Sequence, residues 1–440
     1  MTPFALAWSN LRQQPGRTLI SVVGVAFAVL LIFMQFGFFG SVQRTATLLY
    51  DKLDFDLLMV SSEYISLAKP GTVPRMRLAQ TRAAKEVNQV RPLTAVLGLW
   101  RNPHPEKEFE PFSGFGSLLG LWWETHGQSR QESEGASKEG GRSQWSILIL
   151  GANPSDVPDL FQNPGRGVFE SEKKLRTAVS GLARLNTVVM DPSSRREYGD
   201  TDVWKAIEHN ELNDRRVMIL PETINLGTGF GYNGLLLTSE SNLERCTGWP
   251  GDRVTFGLIK LHPGCDPKKV KRKLEEMLPV VKPSAKSVSA NPGDIAIYTR
   301  DQINRKEVEF WLTGTAVGWF FMAGVVIALL VGGVFVYQMM AADIARRLPE
   351  YATIRALGYA SPFLRAVVFW QGFLLAVIGY IPGLVASWCC YLFTRTWAGI
   401  PIQMTEWIAL LVFALTVVMC MGSAILAVRA VHQANPADLF

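Results

Sequence analysis

The sequence predicts a membrane α-helical bundle of four transmembrane helices carrying a large α+β domain between the first and second. Two observations carry that prediction. Uncharged, mainly apolar runs extend from Thr18 to Gln43, Phe310 to Ala342, Ala366 to Thr394 and Trp407 to Val428. Each exceeds the roughly 20 residues needed to cross a ~30 Å hydrocarbon core. One run stands near the start and three in the last third, leaving 44–309 as a single extramembrane stretch of mixed composition. That stretch is long enough to bury a core of its own, in two subdomains.

Charge distributes accordingly. The chain of 440 residues has a formal net charge of +6, with 44 Lys+Arg against 38 Asp+Glu. Residues 44–309 hold 36 of the basic and 34 of the acidic side chains, a net of +2, and the remainder holds 8 against 4. Phosphate neutralisation needs clustered Lys and Arg, so the nearly neutral large domain argues against nucleic acid as a partner. The excess lies beside the spans, where positive charge orients them.

The elements follow in order. Residues 1–17 form a cytoplasmic N-terminal segment with Arg12 and Arg17. The first run, 18–43, is too long for a signal-peptide core and lacks a small-x-small cleavage site after it, so it reads as an uncleaved anchor. The domain at 44–309 includes four segments that read as strands: Trp145–Leu150, Val217–Leu220, Leu235–Thr238 and Val254–Leu261. After the last, Pro263-Gly264 makes a turn, Asp266 suits an N-cap and Pro267 the first helical position. Residues 102–144 read as a flexible insertion; from His126 to Gln144 they are rich in Gly, Ser, Glu, Gln and Arg. Ahead of that polar tract, Leu118 to Trp123 forms an apolar patch that either packs on the domain, the favoured reading, or dips into the outer leaflet.

The second run, 310–342, has 33 uncharged residues, which span about 50 Å as a helix. It either tilts in the bilayer or continues as a helix into the large domain. The loop 343–365 carries Arg346, Arg347, Arg355 and Arg365 against Asp343 and Glu350. The opposite loop, 395–406, carries only Arg395 against Glu406. The positive-inside rule therefore places 343–365 and both termini, including the tail 429–440, in the cytoplasm. Arg44, Lys52, Arg300, Arg305 and Lys306 flank the large domain and are discounted, because long domains translocate largely regardless of charge. Trp311, Trp397 and Trp407 then fall at the outer interface. Spans 366–394 and 407–428 complete the bundle, with Pro382 inside the third. Small residues recur four apart at Gly24/Ala28, Gly314/Gly318, Gly324/Ala328/Gly332 and Gly379/Gly383, a spacing that lets helices approach closely.

Catalytic motifs are absent from the sequence. It contains no G-x-x-x-x-G-K-[ST], H-E-x-x-H, G-x-S-x-G or C-x-x-C, and its five histidines are scattered. Gly229-Phe230-Gly231-Tyr232-Asn233-Gly234 matches G-x-G-x-x-G, but a strand-like Leu235–Thr238 follows where a dinucleotide site needs a helix. No acidic or basic residue stands inside a span, unlike an ion-coupled transporter. Cys389, Cys390 and Cys420 lie in the spans as small hydrophobes; Cys246 and Cys265 lie in the large domain, where a disulfide is open to them outside the cytoplasm. The chain is thus expected to be no enzyme and to hold no cofactor or metal.

Loop 343–365 is the most suggestive stretch. Pro349 suits a helix start, Glu350 its first turn and Gly358 its end, with Leu348, Tyr351, Ile354 and Leu357 giving a broad apolar face. Such a helix under the membrane is either a docking element or an interfacial helix with no partner.

This loop and several other stretches resemble the permeases of the FtsX/MacB-type ATP-binding-cassette superfamily. The likeness is to DevC-type permeases, the membrane component of the heterocyst glycolipid exporter and its relatives. It is carried by Val331–Gln338, Leu348–Thr353 continuing to Ala356-Leu357-Gly358-Tyr359, Gly379-Tyr380-Ile381-Pro382-Gly383, Pro401-Ile402 before Met404-Thr405, and Asn435–Phe440. In the outer domain, Asp191–Gly199 and Leu236–Ser239 add to it. The 102–144 insertion departs from the family. The resemblance implies an inner-membrane permease, with a periplasmic domain, that exports a lipid, glycolipid or other amphipathic substrate by mechanotransmission. It implies a separate ABC ATPase subunit that uses the ATP and docks on Glu350, Tyr351, Arg355, Leu357, Gly358 and Tyr359. It further implies a periplasmic adaptor (membrane fusion) protein, an outer-membrane channel and a homodimer. The alternative is an FtsX-like signalling protein, which transmits the ATPase's motion to a periplasmic partner without transport.

Overall fold

The computed structural model describes the chain except residues 1, 14, 102–137, 140–141, 163–166, 195–197, 199–209, 230–231, 279–294, 347–360, 398–401 and 434–440. From the N-terminus, α1 is Pro3–Gln13 and α2 is Pro15–Lys52. Then come β1 (Leu57–Ser61), β2 (Val73–Pro74), α3 (Arg75–Arg82), β3 (Val87–Arg101), β4 (Lys138–Glu139) and β5 (Arg142–Ala152). They lead to α4 (Val157–Leu160), α5 (Glu172–Leu182), β6 (Thr187–Met190), β7 (Glu211–Leu212), β8 (Arg215–Arg216) and β9 (Met218–Thr223). β10 (Leu235–Ser239), α6 (Glu240–Thr247), β11 (Arg253–Val254), β12 (Phe256–Leu261), α7 (Pro267–Met277), β13 (Ile295–Thr299) and α8 (Arg300–Glu309) complete the extramembrane part. A π-helical turn, Phe310–Gly314, precedes α9 (Ala316–Arg346), α10 (Ser361–Trp397) and α11 (Glu406–Gln433). Two compact units result: residues 1–43 with 311–440, and residues 44–310.

The outer unit is built on one mixed sheet, ordered β13-β1-β12-β3-β5-β10-β6-β9. β5–β10 and β6–β9 are parallel; the other neighbours along this path are antiparallel. β3 joins the two halves: Val87–Leu93 pairs with β12 and Thr94–Arg101 with β5. The two expected subdomains are therefore halves of one sheet. Pro92 is tolerated in β3 because its half has a single strand neighbour.

Side chains alternate across a strand, and here both faces are covered. Leu58 and Val60 enter one core while Leu57 and Met59 enter another. Leu148, Leu150, Leu235 and Leu237 likewise face one core, and Ile147, Ile149 and Leu236 a third. Double-sided burial explains why these strands read as continuous apolar runs rather than alternating ones. Each leucine so buried contributes about 1.5–3 kcal/mol.

Several local expectations hold. Asp266 caps α7 by accepting from Lys268 N–H at 2.9 Å, with Gly264 at φ +89 in the preceding turn. Gly229 and Tyr232 form an isolated bridge and β10 follows, so the glycine-rich stretch leads into a strand. Other expectations need correction. The strand expected at Val254–Leu261 breaks at Thr255, whose hydroxyl bonds both N–H and C=O of Ala95 at 3.0 Å. Within the stretch 102–144 expected to be flexible, Lys138–Glu139 and Arg142–Gln144 are strand, with Arg101 paired to Gln144. Polar side chains there hid a ladder set by pairing. Leu118–Trp123 and the rest of that stretch to 137 lie outside the described residues. Cys246 and Cys265 carry free thiols, one packed in each of two different cores.

The membrane unit holds four helices long and apolar enough to span a bilayer: Pro15–Lys52, Ala316–Arg346, Arg365–Thr396 and Glu406–Arg429. At most 33% of each apolar window is buried within the chain. Trp407, Phe320, Trp319 and Val418 are 68–72% exposed, which suits lipid and not water. The second run is not one unbroken helix: after α8 come the π turn Phe310–Gly314 and a bend at Thr315, and α9 starts at Ala316. The stretch 343–365 is helical at both ends, because α9 extends to Arg346 and α10 starts at Ser361.

Gly379 and Gly383 let α10 approach α2: a β-carbon at either would come within 2.6 or 2.7 Å of Val25 or Val29. Polar groups in the spans bond to backbone, as Ser423 does to Gly333 O at 2.8 Å, Tyr380 to Ala409 O at 2.9 Å and Tyr391 to Phe33 O. This is how buried polar groups are satisfied in lipid.

Candidate functional site

Each unit contains one polar feature that ties two of its helices together. The first lies at the Arg-rich end of the membrane unit, where α9 ends and α10 begins. The six residues expected to dock a partner, Glu350, Tyr351, Arg355, Leu357, Gly358 and Tyr359, lie outside the described residues. Their supports are described. Gln371 of α10 is buried and donates to Asp343 Oδ2 of α9 at 2.6 Å, pinning the two helices that carry the loop. Asn10, Arg17, Arg346 and Thr18 join this pair around a cavity of about 50 Å³. The α1 helix packs beside it, setting Ala7 and Leu11 against Val367 and Leu374 of α10. Sequence reasoning placed Asp343 in a loop and passed over Gln371, a lone polar residue in an apolar run.

The second feature joins the helix that enters the outer unit to the helix that leaves it. Beyond Arg44, α2 runs to Lys52 inside this unit, and α8 closes it. Arg300, at the start of α8, donates to the carbonyls of Tyr50 (2.6 Å), Leu53 (2.8 Å) and Phe55 (3.0 Å). The Tyr50 carbonyl is one of those that the last turn of α2 leaves without a helical partner, and Leu53 and Phe55 follow the helix end. The same guanidinium lies 4.3 Å from the Phe55 ring centroid. Burial pulls its pKa below the ordinary value, while Asp51, Asp54, Asp56 and Asp301 push back. Asn304 adds a bond to Asp51 Oδ1 at 2.9 Å.

One turn further along, Glu307 is fully buried. Its Oε1 accepts from Leu67 N–H at 2.9 Å and from the Tyr64 hydroxyl, with the Tyr50 hydroxyl at 3.3 Å. Its Oε2 is buried and makes no hydrogen bond among the described residues. Burial raises the Glu307 pKa from 4.5 to about 7, opposed by the bonds from Tyr64, Leu67 and Tyr50 and by Lys306. Lys306 stands 5.3 Å from the Tyr64 ring centroid and bonds the Tyr298 hydroxyl at 3.1 Å. The cluster has no exposed nucleophile; what it can do is hold two helices in one register.

The sequence contained a signal for this clamp. Arg300, Ile303 and Glu307 recur at i, i+3 and i+7, so both charges share the face that buries Ile303. Reading Arg300 as a flanking charge of the membrane missed it.

Asp191, in the stretch that carries the family resemblance, is also buried. Its carboxylate accepts from Ser193, Leu226 and Gly227 N–H at 2.6–2.7 Å and ties that loop to the strand end. Burial raises its pKa, against the pull of those N–H groups.

Residues 322–436 match the family described as FtsX-like permease C-terminal. Among solved structures, the chain is similar to the periplasmic region of MacB from Actinobacillus actinomycetemcomitans. That match has 10% identity and a TM-score of 0.30, covering 57% of this chain and 90% of that one. No curated protein matches the chain. Over its last third the chain is therefore similar to FtsX-like permease C-terminal domains.

Proposed function

We propose that the chain is the permease subunit of an ABC-type exporter, driven by a separate ATPase. The observation that carries this reading is the FtsX-like permease match over 322–436, which spans α10, α11 and the loop between α9 and α10. The ATPase grips Glu350, Tyr351, Arg355, Leu357, Gly358 and Tyr359 on the cytoplasmic side of the inner membrane. Its closure on ATP moves α9 and α10 together, because Gln371 and Asp343 tie them. Helix α8, the π turn and α9 pass the motion outward, and α8 is held to the end of α2 by Arg300 on the Tyr50 carbonyl and by Glu307, which accepts from the Tyr50 hydroxyl. The cargo is a lipid, glycolipid or other amphipathic molecule, as in DevC-type and MacB-like systems. A homodimer, a periplasmic adaptor and an outer-membrane channel complete the pathway.

The test is reconstitution from native membranes. Mild solubilisation should bring down an ABC ATPase, and the Glu350→Ala/Tyr351→Ala variant should uncouple its turnover while the chain still folds. No associated ATPase sinks the proposal. An ATPase stimulated by the chain with no movement of lipid to the adaptor replaces export with signalling to a periplasmic partner.

A further inference from the structure

We propose that the groove between α10 and α11 is a binding site for one anionic phospholipid, a role separate from cargo export. The groove encloses about 460 Å³ and is lined by Arg365, Val368, Phe369, Ala424, Ile425, Val428 and Arg429. It has two chemistries. Arg365 comes from the start of α10 and Arg429 from the last turns of α11, so two guanidinium groups from different helices meet one cavity. Neither forms an ion pair among the described residues, and both are exposed. Two guanidinium groups that line one groove from different helices, neither of them ion-paired among the described residues, offer an anion charge-assisted bonds from two sides. The rest of the described lining is apolar, and Phe369 and Ile425 stay 41% and 45% exposed.

A phosphodiester headgroup answers the arginines, whose fork geometry matches phosphate oxygens. An acyl chain answers the apolar wall. A free phosphate satisfies only the first, and a neutral zwitterionic lipid satisfies the second while adding its own cation near the arginines. Basic pockets between transmembrane helices at the cytoplasmic side are where anionic lipid headgroups bind. The groove borders the start of α10, which follows residues 347–360 in the chain, so an occupied site fixes α10 against α11 beside the proposed docking surface. The lipid site itself rests on the helices lying in a bilayer, and on neither the ATPase nor the cargo.

The experiment uses the full chain, purified in detergent and stripped of lipid, with native mass spectrometry as the readout. Equimolar phosphatidylglycerol and phosphatidylcholine compete for it, with inorganic phosphate added in a separate arm. The wild type should retain phosphatidylglycerol in preference, and Arg365→Gln/Arg429→Gln should lower that preference by about 30-fold, two arginines' share near a membrane surface. The Arg365→Lys/Arg429→Lys variant should keep most of it. Val428→Trp, which fills the groove and leaves both charges, should also abolish retention, so the test survives misfolding of the glutamine variant. Equal retention of the two lipids by the wild type, or an unchanged preference in Val428→Trp, overturns the proposal. Displacement of the lipid by phosphate at matched concentration assigns the site to a free anion and overturns it too. Co-purification of an ATPase is read separately, so a failed permease reading and a failed lipid site are told apart.

Discussion

In the outer unit, Arg300 and Glu307 hold α8 against α2 by charge and hydrogen bonds. In the membrane unit, Gly379 and Gly383 hold α10 against α2 by having no side chain. The solvents account for the difference. Water supplies a hydrophobic drive that buries apolar surface, so the outer unit has stabilisation in hand to bury charged groups that specify one geometry. Lipid supplies no such drive between apolar helices, so close packing and bonds to backbone must do the holding. Directional hydrogen bonds from a buried guanidinium resist a change of register, whereas a contact between glycine and valine is held by shape alone. The comparison thus assigns rigidity to the outer clamp and adjustability to the spans.

The largest effect should come from removing the outer clamp's anchor. Arg300→Ala loses three bonds to carbonyls and the contact with Phe55, at about 4 kcal/mol. Hydrogen exchange of the full chain in detergent should show the amides of Tyr50 to Phe55 losing protection; unchanged exchange would remove the clamp from the mechanism.

The next effect is pH dependence. A carboxyl whose pKa is higher in the folded state binds its proton more tightly there, so its contribution is most favourable below 4.5 and fades as pH rises through about 7. By pH 8 the loss from Glu307 amounts to about 3 kcal/mol. Asp191 shifts in the same direction, and Tyr50, Tyr64 and Tyr232 stay protonated throughout, their pKa values raised by burial. Glu307→Gln should flatten most of the decline seen in thermal unfolding between pH 5 and 8, leaving the smaller Asp191 part. A decline as steep as wild type would place the responsible group elsewhere.

A smaller cost belongs to the spans. Gly379→Leu must displace Val25 and should destabilise the membrane unit by about 2 kcal/mol in detergent titration. Indifference to that change would break the contrast, since α10 would then not depend on close approach. Smallest is Gln371→Leu, which removes the bond to Asp343 at about 1 kcal/mol, read as loosened exchange at the end of α9.

The same contrast decides what was legible in the sequence. Spans were, because a hydrocarbon core imposes length and apolarity on each helix independently. Strands buried on both faces were, at Trp145–Leu150 and Leu235–Thr238, because their burial requires an unbroken apolar run. The cap at Asp266-Pro267 was, because capping is local. β3 was not: Arg91, Pro92 and Gly98 interrupt it, and its partners β12 and β5 lie far off in sequence. Of the sites, the clamp depended on Tyr50 and Glu307, 257 residues apart, meeting in space. Only the helical spacing of Arg300, Ile303 and Glu307 pointed to it. Gln371 gave no periodic signal, because its partner Asp343 belongs to another helix.

The junction of β3 with β5 has a practical use. Arg101 and Gln144 face each other across the ladder, so the sheet is closed before the chain leaves it and again as it returns. Joining two points that the ladder already holds together depends only weakly on the number of residues between them, each doubling of chain length adding about 0.6 kcal/mol. Lineages could lengthen or trim this excursion without re-registering a strand. An affinity handle or fluorescent module spliced between Arg101 and Lys138 should report from the outer unit while leaving its sheet and both of its helical connections undisturbed.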